Sequence, residues 1–155
     1  MKNLQLPGLV LSLLFYCGVA SAQKNIPINE PDQNKPKLFT NLPDRIPVDI
    51  SHLESLLAVE TGKEVSLKLG NKDLPAFNGK VISVVNKYNN INSVVIRSSN
   101  FNGAILTLSS STKPNGTVKF TGRIISFGHG DLYDLQNQND QYILIKKNFY
   151  DLINE

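Results

Sequence analysis

The residues best equipped for chemistry in this 155-residue chain sit together in Gly128-His129-Gly130-Asp131, with Tyr133 and Asp134 just beyond. A histidine and two carboxylates on a glycine-flanked loop are the groups that hold a divalent cation or supply a general base. One reading therefore centres a small metal-dependent hydrolase on His129, Asp131 and Asp134. The other makes the glycines a tight turn and His129 a surface or structurally satisfied residue. The second is favoured, because a catalytic zinc usually takes three protein ligands and the only other histidine, His52, stands in a helix-capping pattern with a structural task of its own. The HExxH, GxSxG and P-loop patterns are missing as well. Asp131 and Asp134 are three apart, which on a strand puts them on opposite faces and leaves paired-carboxylate glycosidase chemistry unsupported. The expectation is no catalytic residue, no metal and no cofactor.

Other polar groups are weaker still. Ser98-Ser99 and Ser109-Ser110-Ser111 lack a nucleophile elbow and read as strand ends and a solvated loop. Asn115-Gly116-Thr117 matches an N-glycosylation sequon, yet Pro114-Asn115-Gly116 is also what a tight turn requires. Aromatic residues offer a different function. Tyr88, Phe101, Tyr133 and Tyr142, with Phe149 and Tyr150, are candidates to line a groove for a peptide or sugar, against the alternative of core and edge packing. Strand edges give a second recognition surface, because a small antiparallel sheet can take an extended peptide as an added strand.

The elements that would position these residues are strands. Between Phe77 and Lys147, short runs rich in β-branched and aromatic residues alternate with glycine- and asparagine-rich turns. Lys80–Val85 and Ser93–Arg97 read as hairpin partners across Asn89-Asn90-Ile91-Asn92. Ala104–Ser109 places Ala104, Leu106 and Leu108 on one face, and Pro114-Asn115-Gly116 turns it back into Thr117–Thr121. Val118 and Phe120 share a parity that Ile125 and Phe127 break, which predicts a β-bulge or sharp coil near Gly122. Asp131–Leu135 and Gln141–Lys146 flank the polar loop Gln136–Asp140. Upstream, Glu64–Leu69 alternates as a first strand. Ser51-His52-Leu53-Glu54 is a capping box opening a short helix through Leu56, Leu57 and Val59, with Gly62 ending it. The aromatic tail from Phe149 is expected to pack as a half-turn or strand.

Composition places this fold outside the cytoplasm. Lys2, the apolar run Leu9–Tyr16 and Ala20-Ser21-Ala22 make a secretory signal cleaved before Gln23, so the chain is expected in the periplasm or secreted. Large aromatics before Cys17 argue against lipidation. Cleavage removes the single cysteine, so the mature chain has no disulfide and no thiol nucleophile. No later run approaches the roughly 18 apolar residues of a membrane-spanning helix. Loss of Lys2 leaves 15 basic against 13 acidic residues, a formal +2, with the basic residues scattered; no nucleic-acid partner is expected. Residues 23–48 carry Pro27, Pro31, Pro36, Pro43 and Pro47 among polar residues and read as an extended leader, favoured as a tether over a strand at Leu38–Leu42 that pairs with the domain or a partner, with Phe39 and Leu42 touching the core. A single β-rich domain over 49–155 is expected, an antiparallel meander forming a partly closed barrel or sandwich after one short N-terminal helix.

Four landmarks follow one another as Phe77-Asn78-Gly79-Lys80-Val81, Ser93-Val94-Val95-Ile96, Phe101-Asn102-Gly103-Ala104-Ile105 and Tyr142-Ile143-Leu144-Ile145. Their order resembles the prodomain of reprolysin-type secreted metalloproteases, over roughly the second half of the chain. Two departures stand against it: no cysteine to cap a catalytic zinc, and no protease domain after Glu155. The resemblance implies a free-standing, prodomain-like module that binds a protease or another exported protein in trans. The chain also resembles small exported proteins of Bacteroidota-like bacteria, which implies location and no activity. The functional expectation is a non-enzymatic module recognising a protein or peptide; the rival expectations are the hydrolase above and a structural accessory of the cell envelope.

Overall fold

A β-meander buries one face by curling, and this chain does so with eight strands in a single antiparallel sheet. A computed structural model describes residues 34–70, 74–88 and 90–152. The expected signal segment 1–22, leader residues 23–33, turn residues 71–73, Asn89 and the last three residues lie outside the described residues. The strands are β1 (Arg45–Val48), β2 (Glu64–Leu67), β3 (Phe77–Lys87), β4 (Ile91–Ser98), β5 (Ile105–Thr112), β6 (Val118–Ile125), β7 (Asp131–Gln138) and β8 (Gln141–Asn148). Their order in the sheet is β1-β8-β7-β6-β5-β4-β3-β2, so the meander β2 to β8 is closed off by β1 beside β8. The result is a curled half-barrel with one short helix, α1 (Ile50–Leu57), carried on the connection between the two edge strands.

Alternation decides which side is inside. Val81 pairs with Ile96, Ile96 with Leu106, Leu106 with Ile124, Ile124 with Tyr133, and Leu135 with Leu144, which in turn faces Ile46. These side chains are all buried and form one continuous core across the concave face. Ala104, Leu106 and Leu108 share that face, as their parity predicts. From α1, Leu53 and Leu56 drop into the same core, where the helix packs against β2, β4 and β5.

Several boundaries differ from the sequence expectation, each for a local reason. The helix starts at Ile50 with Asp49 as its N-cap residue and ends at Leu57, so Ser51 lies inside the first turn, where its backbone carbonyl accepts from the Ser55 hydroxyl. Gly62 sits beyond the helix, where its N–H donates to the Val81 carbonyl and starts the pairing of β2 with β3. The loop Gln136–Asp140 shrinks to Asn139 and Asp140, both at positive φ, because two residues suffice for a hairpin turn when both tolerate the left-handed region.

No bulge forms in the β5–β6 ladder at Gly122: the pairing runs without a shift from Ile105↔Ile125 to Thr112↔Val118. The buried series continues through Ile124, and Ile125 faces the other side. What changes at Gly122 is the other neighbour, since β7 pairs with β6 only from Gly122 to Ile125. Above that point the two strands part, and the Tyr142 hydroxyl from β8 accepts the Phe120 N–H at 3.0 Å. The one register shift in the meander lies instead in β3, between Val81 and Ser83.

The largest correction concerns the leader. Residues 34–48 are part of the same compact unit as the sheet, Asp32–Glu155, rather than a tether ahead of a domain starting at residue 49. Phe39 and Leu42 are buried in the core, and β1 supplies Ile46 and Val48. The prolines fit because Pro47 lies on an edge strand, where a missing N–H costs no ladder bond on the open side.

Candidate functional site

The His129 loop is built by the tight turn between β6 and β7. The His129 N–H donates to the Ser126 carbonyl at 3.0 Å, and the ring Nδ1 lies 2.8 Å from Ser126 Oγ. Ser126 is 2% exposed and its hydroxyl donates to the Asn102 carbonyl at 3.3 Å, tying this turn to the β4–β5 loop. A hydroxyl committed to a backbone carbonyl in a packed position is poorly placed as a nucleophile, so the Ser–His contact braces the β6–β7 turn from within while the bond to Asn102 ties it to the neighbouring loop. Gly130 is required for a different reason from turn geometry: a Cβ there would sit 2.9 Å from the Lys35 carbonyl oxygen, and its N–H donates to the Pro36 carbonyl. The glycine is what lets the 34–43 segment lie against the sheet.

The two carboxylates of the loop are separated by the sheet itself. Asp131 points inward and is 2% exposed; its Oδ1 accepts the Leu38 N–H at 2.6 Å and its Oδ2 the Phe39 N–H at 2.9 Å. Both oxygens are therefore occupied in clamping the 34–43 segment. Asp134 faces outward, where it pairs with Arg123 at 3.1 Å and Lys147 at 3.5 Å and accepts from Gln136. His129, Asp131 and Asp134 thus point into three different environments. His52, at the other end, lies 3.8 Å from Asp49 on α1. Among the described residues, no group of three or more His, Cys, Asp or Glu side chains is gathered as metal ligands would be.

The expected groove aromatics divide sharply. Tyr133 is fully buried, its hydroxyl donates to the Pro43 carbonyl, and burial, with the Asp44 and Asp131 carboxylates nearby, pushes its pKa well above the ordinary phenol range. Tyr142 is buried edge-on against Phe120, ring centroids 5.4 Å apart. Phe101 is half-buried between Phe39 and Phe77, with centroids at 5.5 and 6.0 Å. These three belong to the core rather than to a groove, because the inward parity of β7 and β8 and the aromatic cluster around Phe39 claim them. Tyr88 alone is a surface residue, 80% exposed in the β3–β4 turn with the Lys87 ammonium 5.0 Å from its ring centre.

Recesses among the described residues include two on the surface. One, of about 290 Å³, lies beside α1 between Glu54, Leu57, Asn92, Ser110, Val118 and Phe120. The other, of about 550 Å³, opens on the convex face below the parting of β6 and β7, with Thr107, Ser109 and Thr121 around the Arg123–Asp134 pair. In neither, among the described residues, is a lining hydroxyl hydrogen-bonded to a carboxylate or an imidazole.

The edges of the sheet are more informative. β1 is four residues long and carries Arg45 and Pro47; β2 is four residues long, with Lys63 before it and Lys68 after it. Both are the short, charged or proline-bearing edges by which native sheets avoid recruiting a further strand. β3 is different. It is eleven residues long, but β2 covers only Phe77–Lys80, and the last bonds on that side are those of Val81 with Gly62 and Lys63. Among the described residues nothing pairs with Ile82–Lys87 on that edge, a span of roughly 20 Å at the strand rise. Val85 is 52% exposed, and Ile82, Tyr88 and Ile91 are exposed beside it. Of these only Tyr88 was singled out in the sequence as a binding residue. The signal for the rest was the mismatch between the short strand at Glu64 and the longer β-branched run through Val85. Compared with protein-family models, with curated proteins and with solved structures, the chain matches none.

Proposed function

We propose that this chain is an exported, non-enzymatic binding module that takes an extended segment of a partner protein as an added β-strand. The observation that carries the reading is the uncovered edge of β3 from Ile82 to Lys87, uncharged and proline-free until its last residue. Main-chain hydrogen bonds along such an edge supply affinity, and the side chains at alternate positions supply selectivity. Regular pairing with β4 from Ser83 to Lys87 already holds this stretch extended, which keeps the ordering cost of binding on the incoming peptide. The resemblance to protease prodomains agrees with a module acting in trans on another exported protein.

The test is to capture exported proteins of the native host on the immobilised chain and follow amide exchange in the complex. The reading expects one stoichiometric partner that slows exchange across Ile82–Lys87 and is lost in Val85→Lys, which places a charge on the free edge. A partner held equally well by that variant, or protection confined to another surface, refutes it.

A further inference from the structure

The chemistry of the partner segment follows from the charges around the same edge. Lys80 and Arg97 stand directly opposite each other in the β3–β4 register, on the convex face beside the edge. Like charges in that relation repel across strands. Lys87 closes the free edge, paired with Ile91 and lying against the Tyr88 ring. All three side chains are exposed, and among the described residues no carboxylate lies within ion-pair distance of any of them. Glu64, opposite Lys80 on β2, is the acidic residue in register with these cations, and the β2 pairing ends there, short of the free segment. From Ile82 to Ile91 the only charged side chain is Lys87.

Resting on the binding-module reading, we infer that the β3 edge selects an extended segment of another protein that carries apolar residues at its centre and carboxylates at its flanks. The centre meets Val85 and Ile82; the flanks meet Lys87 at one end and Lys80 with Arg97 at the other. Downstream of the shift at Val81/Ser83 the pairing with β4 is regular from Ser83 to Lys87, so the edge offers a straight template there. A second copy of this chain is the poorer occupant, because pairing β3 with β3 brings two sets of these cations onto one ribbon without adding an acid.

The experiment uses the full chain and two short synthetic peptides of alternating valine and threonine, one with glutamate at both ends, the other with lysine at the same places. Affinities are read by fluorescence anisotropy at low and high salt, on the native chain and on Lys87→Glu and Val85→Lys, both exposed substitutions checked for native circular dichroism. The glutamate peptide is expected to bind about tenfold tighter at low salt, a ratio that shrinks with added salt and falls toward unity in Lys87→Glu. Equal binding of the two peptides, with both lost in Val85→Lys, overturns the charge selection while leaving the edge reading intact. Failure of both peptides to bind, or binding indifferent to Val85→Lys, removes the edge as the site and the proposed function with it.

Discussion

Asp131 offers the sharpest test of how the fold is held. Its carboxylate accepts two backbone N–H groups, from Leu38 and Phe39, at 2.6 and 2.9 Å in a site closed to solvent. A hydrogen bond to a charged group contributes about 1.5–3 kcal/mol net, and a buried donor left alone costs about 1–3 kcal/mol. Asp131→Ala abandons both donors and is expected to cost about 3–5 kcal/mol. Asp131→Asn keeps the shape but has one acceptor oxygen, and its amide nitrogen meets an N–H donor, so about 2–3 kcal/mol should be lost. Against a typical total of about 5–15 kcal/mol these are large fractions. Urea unfolding followed by far-UV circular dichroism measures the global term, and trypsin cleavage after Lys37 reports release of the clamped segment. Asp134→Asn is the control: its ion pairs lie on the convex face, and a loss of about 1 kcal/mol or less is expected. If Asp131→Asn unfolds within about 0.5 kcal/mol of the native chain with trypsin cleavage unchanged, the clamp is not what holds the segment.

Two further outcomes follow from buried hydroxyls. Tyr142→Phe removes the acceptor of the Phe120 N–H where β6 and β7 part, and should cost about 1–2 kcal/mol in urea unfolding; a neutral result would mean that water or a shifted β7 satisfies that donor. Tyr133 binds its phenolic proton more tightly folded than unfolded, so its contribution is complete below about pH 10 and declines as pH rises above that value while the unfolded chain ionises. Tyr133→Phe should therefore show a shallower loss of stability above about pH 10 than the native chain, and matching alkaline slopes would contradict the assignment.

Much of this protein was legible in its residues because the information was local. Period-two alternation in Ala104–Ser109 and β-branched runs at Lys80–Val85 and Ser93–Arg97 fix strands and their inward faces, and Pro114-Asn115-Gly116 fixes a turn, whose Gly116 N–H donates to the Lys113 carbonyl. The separation of Asp131 from Asp134 followed from parity in the same way. What local pattern could not convey were partners distant in sequence. The proline-rich stretch before residue 49 reads as a tether until Phe39 is seen between Phe101 and Tyr133, and Asp131 reads as a candidate base until its two oxygens are found on backbone some 90 residues earlier. Tyr133 and Tyr142 look like surface recognition residues until the curl of the sheet turns them inward. The parity break at Gly122 looked like a bulge, but the tertiary structure resolves it as a parting from β7, with the ladder to β5 intact. The free edge of β3 is likewise a property of the assembled sheet: residues alone set how long each strand can be, and only strand order determines which of them is left uncovered.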